Sequence, residues 1–239
     1  MIETSHISKR YIIPHEKKMT AVETAIGYLK HTVTYEPFFA LQDITFRVES
    51  GEAVGVMGKN GSGKTTLLKI LSGIISPSEG TYSLKGSVAP FFSLGVGFHH
   101  ELTARENIYL YGALLGIPRE RITEREKTIF AFAGVERFRD TKLKHFSSGM
   151  VSRLAFALMI QTDSDIFLLD ELFSTGDKDF VPQSLSVLEA YKNKGKTIVL
   201  ASHDLDLLNR HCSRSMLLHE GRLIDFGKTE EVIQHYIKL

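Results

Sequence analysis

The sequence is poor in several things, and each shortage removes a class of answer. It holds one cysteine, Cys212, so no internal disulfide forms and nothing calls for an oxidising compartment. No apolar run approaches the ~18 residues of a membrane-spanning helix. The start, "MIETSHISKRY", lacks the apolar core of a secretory signal. The net charge is only +1 over 239 residues, which gives no reason to expect nucleic acid or an anionic membrane as a general partner. No internal repeat and no low-complexity segment is evident. What is there is an ordinary globular composition, sufficient for one large domain or two small ones. A cytoplasmic location is expected; for work at a membrane, something else must hold the chain there.

Hydrophobic periodicity supplies the elements. "LQDITFRVESGE" (41–52) alternates Ile44, Phe46 and Val48 with polar residues, as a half-buried strand does. "AVGVM" (53–57), "DIFLLDE" (165–171) and "KTIVLAS" (196–202) are apolar on both faces, like strands of a buried parallel sheet. "TTLLKILSG" (65–73) and "QSLSVLEAYKNKG" read as helices, and residues 103–161 as mostly helical, opened by a capping box from Thr103 to Glu106. "SMLLHEGRLIDFG" predicts two short strands around Gly221, followed by a last helix, "TEEVIQHYIKL". Strands alternating with helices predict an α/β sheet with a helical insertion.

Between the first buried strand and its helix lies "GKNGSGKTT" (58–66), which fits G-x-x-x-x-G-K-[ST] in the strand–loop–helix context that the motif requires. Gly58, Gly61 and Gly63 let the backbone curl so that the N–H groups of the loop, Asn60 and Ser62 included, converge on one concavity. The helix N-terminus adds its dipole, Lys64 reaches the β- and γ-phosphates, and Thr65, followed by Thr66, offers a hydroxyl to Mg²⁺. "IFLLDE" then ends a buried strand in two carboxylates at the edge where such sheets bind ligands. Asp170 suits Mg²⁺, and Glu171 suits polarising an attacking water. His203, in "LASHD", sits at the tip of another strand-to-loop passage. "FSSGM" (146–150) puts Ser147, Ser148 and Gly149 at the head of an apolar helix, where serine is a natural cap.

In this order the pieces resemble the ATP-binding subunit of ABC transporters: "GKNGSGKT" as Walker A, "FSSGM" as signature, "IFLLDE" as Walker B, "STGD" with Asp177 as D-loop, and "SHD" with the switch histidine. The resemblance implies a P-loop NTPase core of mostly parallel sheet, an antiparallel β subdomain and an inserted helical subdomain (about 99–160), all in a single domain over 1–239. It implies an ATPase with ATP and Mg²⁺ as ligands. Two copies would face head to tail, each ATP held by one Walker loop and by the partner's Ser147, Ser148 and Gly149. One chain alone would bind ATP and hydrolyse it poorly.

"SLGVGFHHELTARENIYL" and "DELFSTGD" look like the subfamily that exports lipid-linked polysaccharides, including O-antigens and wall teichoic acids. That implies a separate permease, a peripheral place at the cytoplasmic face of the inner or plasma membrane, and no nucleic-acid partner. Alternatives are an ABC ATPase energising another solute's transport, a non-transport ABC ATPase, or a small P-loop GTPase or kinase. Too few residues separate Lys64 from Ser147 for a chromosome-type coiled coil, and the guanine-reading N-K-x-D is absent.

Three features depart from the usual pattern. Residues of about 14–37 form an insertion in which Met19, Val22, Ile26 and Leu29 recur at helical spacing, and the similarity implies a helix near the permease mouth. Tyr11 matches the aromatic that stacks on adenine, although Tyr35 and Phe39 lie nearer the Walker loop in sequence. No glutamine occurs between Gln42 and Gln161, so the usual Q-loop residue is missing; Ser93 lies near its place, and "GVGFHHE" is another carrier for that contact. With Asp204–Leu239 following His203, no appended carbohydrate-recognising domain is expected.

Overall fold

The computed structural model describes residues 1–15, 34–92, 97–171 and 180–239. In chain order the first half forms β1 (Ile2–His15), β2 (Thr34–Val48), β3 (Ala53–Met57), α1 (Lys64–Leu71), β4 (Glu79–Leu84) and β5 (Val88–Phe92). Helices α2 (Ala104–Leu114), α3 (Arg119–Ala133) and α4 (Ser148–Met159) follow, with two 3₁₀ turns between the last pair. Then come β6 (Ile166–Asp170), α5 (Phe180–Asn193), β7 (Thr197–Ala201), α6 (Leu205–His211), β8 (Arg214–His219), β9 (Arg222–Lys228) and α7 (Thr229–Ile237).

A six-stranded sheet in the order β5-β6-β7-β3-β8-β9 is parallel except for β9. Its central strands are buried along their whole length, which is why they read as unbroken apolar runs. Successive residues nonetheless serve opposite faces. Phe167 and Leu169 of β6 join the core shared with α2, α3, α4 and α5, whereas Ile166 and Leu168 join the core under α1 and the second sheet. That second sheet, β2-β1-β4, is antiparallel and contributes Ile2, Ile7, Leu41, Ile44, Phe46 and Val48. The helical segment between β5 and β6 docks through aromatic pairs, among them Phe91 with Phe156 at 5.7 Å and Phe156 with Phe180 at 5.7 Å.

Register sets the positions of the chemistry. Phe92 lies opposite Asp170, Asp170 opposite Ala201, and Ala201 opposite Val56, so β5, β6, β7 and β3 all end at one edge. The loops after β3, β6 and β7, which carry the candidate residues, therefore open side by side.

The ends of the expected insertion are strands: 14–15 belong to β1, and 34–37 to β2. The amphipathic stripe from Met19 to Leu29 lies outside the described residues.

Candidate functional site

The loop after β3 turns back on itself through left-handed glycines, with φ of +148° at Gly58, +81° at Gly61 and +107° at Gly63. Two of these positions also leave no space. A Cβ on Gly58 would stand 2.2 Å from the Leu218 carbonyl oxygen, and one on Gly63 would stand 2.7 Å from that of Ala40. The second contact is where the antiparallel sheet meets the loop. The Gln42 N–H donates to the Gly221 carbonyl at 2.7 Å and the Gly221 N–H to that of Ser62 at 3.1 Å, which closes the joint.

Gly63 precedes α1 without any side-chain cap, and no acidic residue occupies the helix's first turn. The positive end of the helix is thus left for an anion. Lys64 is buried, and its Nζ donates to the carbonyls of Gly58 at 2.7 Å and Lys59 at 3.2 Å. Burial pulls its pKa below the ordinary lysine value, while Glu171 and Asp170 pull it back up. Asn60, Gly61 and Thr65 are exposed along the mouth of the loop, Thr66 is half-buried, and Ser62 is buried with its hydroxyl unpartnered.

Thr65 Oγ1 donates to Asp170 Oδ2 at 2.7 Å, joining α1 to the end of β6. Asp170 is only 4% exposed, and its other oxygen, Oδ1, has no hydrogen-bond partner. Burial raises the Asp170 pKa, helped by the Glu171 charge and opposed by the Thr65 hydrogen bond and Lys64. A buried carboxylate oxygen with no donor, beside a hydroxyl, is a fitting pair of hard ligands for Mg²⁺.

One residue on, Glu171 has a φ of +50°, and its N–H donates to the Ala201 carbonyl at 3.0 Å. This turn throws the side chain past the strand end, where Oε2 lies 2.7 Å from His203 Nδ1. His203 is held in place in turn, since Asp204 caps α6 by accepting from the Leu207 N–H at 2.9 Å. The strand ends have brought Lys64, Thr65, Asp170, Glu171 and His203 into one neighbourhood.

The signature residues stand apart from it. Ser147 is the N-cap of α4 and accepts from the Met150 N–H at 3.2 Å; Ser148 and Gly149 form the first turn. Both serines are exposed, while Val151, Ser152 and Leu154–Met159 are buried, so the helix is anchored by its body and presents its head. Among the described residues no hydrogen bond joins this head to residues 58–66. Tyr11 pairs across the ribbon with Phe38, its ring under Lys9 Nζ at 5.3 Å, and both Tyr11 and Phe39 are exposed. Tyr35 pairs with Pro14. Ser93 and Asp177 lie outside the described residues.

Sequence reasoning passed over Asn107, one turn into α2. It is fully buried and ties the preceding turn together, Nδ2 donating to the carbonyls of His99, Leu102 and Thr103 while Oδ1 accepts from the His99 N–H. An asparagine on the apolar side of an otherwise amphipathic helix was the available signal.

A family model described as ABC transporter matches residues 41–174. An O-antigen export system ATP-binding protein RfbB of Klebsiella pneumoniae is 38% identical over 99% of this chain and 97% of its own length. A teichoic acids export ATP-binding protein TagH of Bacillus anthracis is 39% identical over 98% of this chain and 42% of its own. Among solved structures, the dimeric post-hydrolysis ATP-binding cassette MJ0796, bound to ADP and Pi, superposes with a TM-score of 0.76 at 23% identity, covering 96% of this chain and 99% of that one. By these matches the chain belongs to the ABC transporter family.

Proposed function

We propose that the chain is the ATP-hydrolysing subunit of an exporter of lipid-linked polysaccharide, of O-antigen or teichoic-acid type, and that it drives a separate membrane permease. The observation that carries the ATPase reading is the convergence of Lys64, the Thr65–Asp170 pair and the Glu171–His203 pair at one sheet edge. Similarity over nearly the whole of this chain to ATP-binding proteins named for O-antigen and teichoic-acid export carries the choice of cargo. No described helix is long and apolar enough to cross a membrane, which supports attachment through a partner.

In this reading the backbone of 58–66 and the N-terminus of α1 cradle the phosphates. Lys64 leaves the loop carbonyls and turns to the β- and γ-phosphates, exchanging two neutral acceptors for anionic ones. Bound Mg²⁺, held by Thr65 and Asp170, supplies charge neutralisation at the phosphates. Glu171 polarises the attacking water, and His203, fixed against it, orients that carboxylate and reaches the γ-phosphate with its other ring nitrogen. Ser147, Ser148 and Gly149 complete the site on a second copy of the chain. Catalysis is then positioning and electrostatics, with no covalent enzyme intermediate. Tyr11, at the base of an exposed apolar ribbon, stacks on adenine.

The test is ATP turnover by the chain with its permease in proteoliposomes. Lipid-linked polysaccharide is expected to stimulate turnover, and Lys64→Ala to abolish it. Turnover that ignores polysaccharide but answers to another solute would overturn the cargo assignment.

A further inference from the structure

Two segments that are distant in sequence run side by side just before the signature. The turn after residue 97 and the stretch after α3 are stitched by four backbone hydrogen bonds: Lys144 N–H to His100 O at 3.0 Å, Leu143 N–H to Leu102 O at 3.0 Å, Ala104 N–H to Thr141 O at 3.0 Å, and Arg105 N–H to Arg139 O at 2.9 Å. The second segment passes from an isolated bridge between Lys142 and Thr103 into a 3₁₀ turn over Leu143–His145. Leu143 is buried, while Lys142 and Lys144 emerge on the other side. Both lysines converge on one carboxylate, Glu101, at 3.4 Å and 3.0 Å. A little further along, Arg105 bridges Asp140 at 3.0 Å and Glu126 of α3 at 3.0 Å. The seam is thus charge-complementary along its length, and it stops three residues before Ser147.

What else holds 139–147 is slight. Leu143 is its one fully buried side chain, and Phe146 is only partly packed, edge-on to the exposed Phe138 at 6.0 Å. The ion pairs are exposed, so they add little to overall stability. Their effect is local, on where the chain enters α4. The hydrogen bonds from Lys144 and Lys142 also hold the Glu101 carboxyl below the usual carboxylate range.

We propose that Glu101 is a positioning residue for the signature: by clamping Lys142 and Lys144 it holds the chain at the head of α4, so that Ser147 is presented at a fixed place and angle to the nucleotide of a second copy. The proposal rests on the sandwich-dimer reading above, and its test is arranged so that the two fail separately.

In a Glu171→Gln background, Glu101→Lys is compared with the triple reversal Glu101→Lys, Lys142→Glu, Lys144→Glu. Three readouts are taken: the ATP-dependent dimer dissociation constant, binding of a fluorescent ATP analogue to the monomer, and amide exchange over 144–150 in the monomer. Glu101→Lys is expected to weaken the dimer by about fivefold or more, an effect of ion-pair size doubled by repulsion. It should speed exchange at the Met150 amide and leave monomer nucleotide binding unchanged, and the triple reversal should restore both affected quantities. Parental dimerisation and exchange in Glu101→Lys would overturn the proposal, and so would a triple reversal that restores neither. If the parent itself does not dimerise with ATP, the sandwich reading falls, while exchange over 144–150 still decides whether Glu101 holds the signature.

Discussion

Thr65 Oγ1 lies 2.7 Å from Asp170 Oδ2, which ties the first turn after the phosphate loop to the end of a strand 105 residues later. The second Asp170 oxygen is buried without a partner. This arrangement costs the folded chain something that a cation would return, and it yields a prediction with opposite signs in two conditions. Burial raises the Asp170 pKa, so the folded carboxyl holds its proton more tightly than the unfolded one. The stability it lends is present at acid pH and is lost as pH rises through the shifted value. Without metal, Asp170→Asn is therefore expected to match the parent at low pH and to exceed it at neutral pH. With Mg²⁺ and ATP the order reverses, because only the parent gains binding energy. Paired thermal melts across pH, with and without MgATP, check both signs.

Glu171 combines a catalytic assignment with a left-handed backbone, φ +50°. Glu171→Gln is expected to keep ATP binding and lower turnover by about 10²-fold or more, the usual scale of a lost general base. Among truncations, Glu171→Gly should be more stable than Glu171→Ala by roughly 1 kcal/mol, because only glycine occupies that region freely. Urea melts of the two truncations decide the backbone claim independently of catalysis.

Asn107 donates to three carbonyls and accepts from one N–H of the turn before α2. Asn107→Ala is expected to cost about 1–2 kcal/mol, since the hydrogen bonds of a fully buried amide are lost while each carbonyl keeps a backbone N–H donor. Asn107→Asp should recover only part of this, since a carboxylate accepts from His99 and donates to nothing. A loss below ~0.5 kcal/mol in chemical denaturation would contradict the latch.

Much of this was legible in the chain. The phosphate loop, the buried strand runs, the Thr103–Glu106 capping box and the Ser147 cap are local patterns, and each sits where its pattern put it. The second sheet was harder to read. Strand β1 carries register shifts around Ile7 and a left-handed His6, so its apolar alternation is broken, and β4 is largely exposed and so has little alternation to show. The contacts that make the site chemical were not legible at all. Thr65 meets Asp170, and Glu171 meets His203, only because parallel strands end in register, a property of the sheet and of no local segment.

In the proposed sandwich dimer, Ser147 has a second role beyond capping α4. As a cap alone, Ser147→Ala would cost about 1 kcal/mol and nothing more. The most direct measurement is light scattering of the Glu171→Gln chain with ATP, with and without Ser147→Arg. A dimer is expected with ATP, and it should vanish in the Ser147→Arg variant while monomer ATP binding is retained. A dimer that persists in that variant would contradict the second role of Ser147.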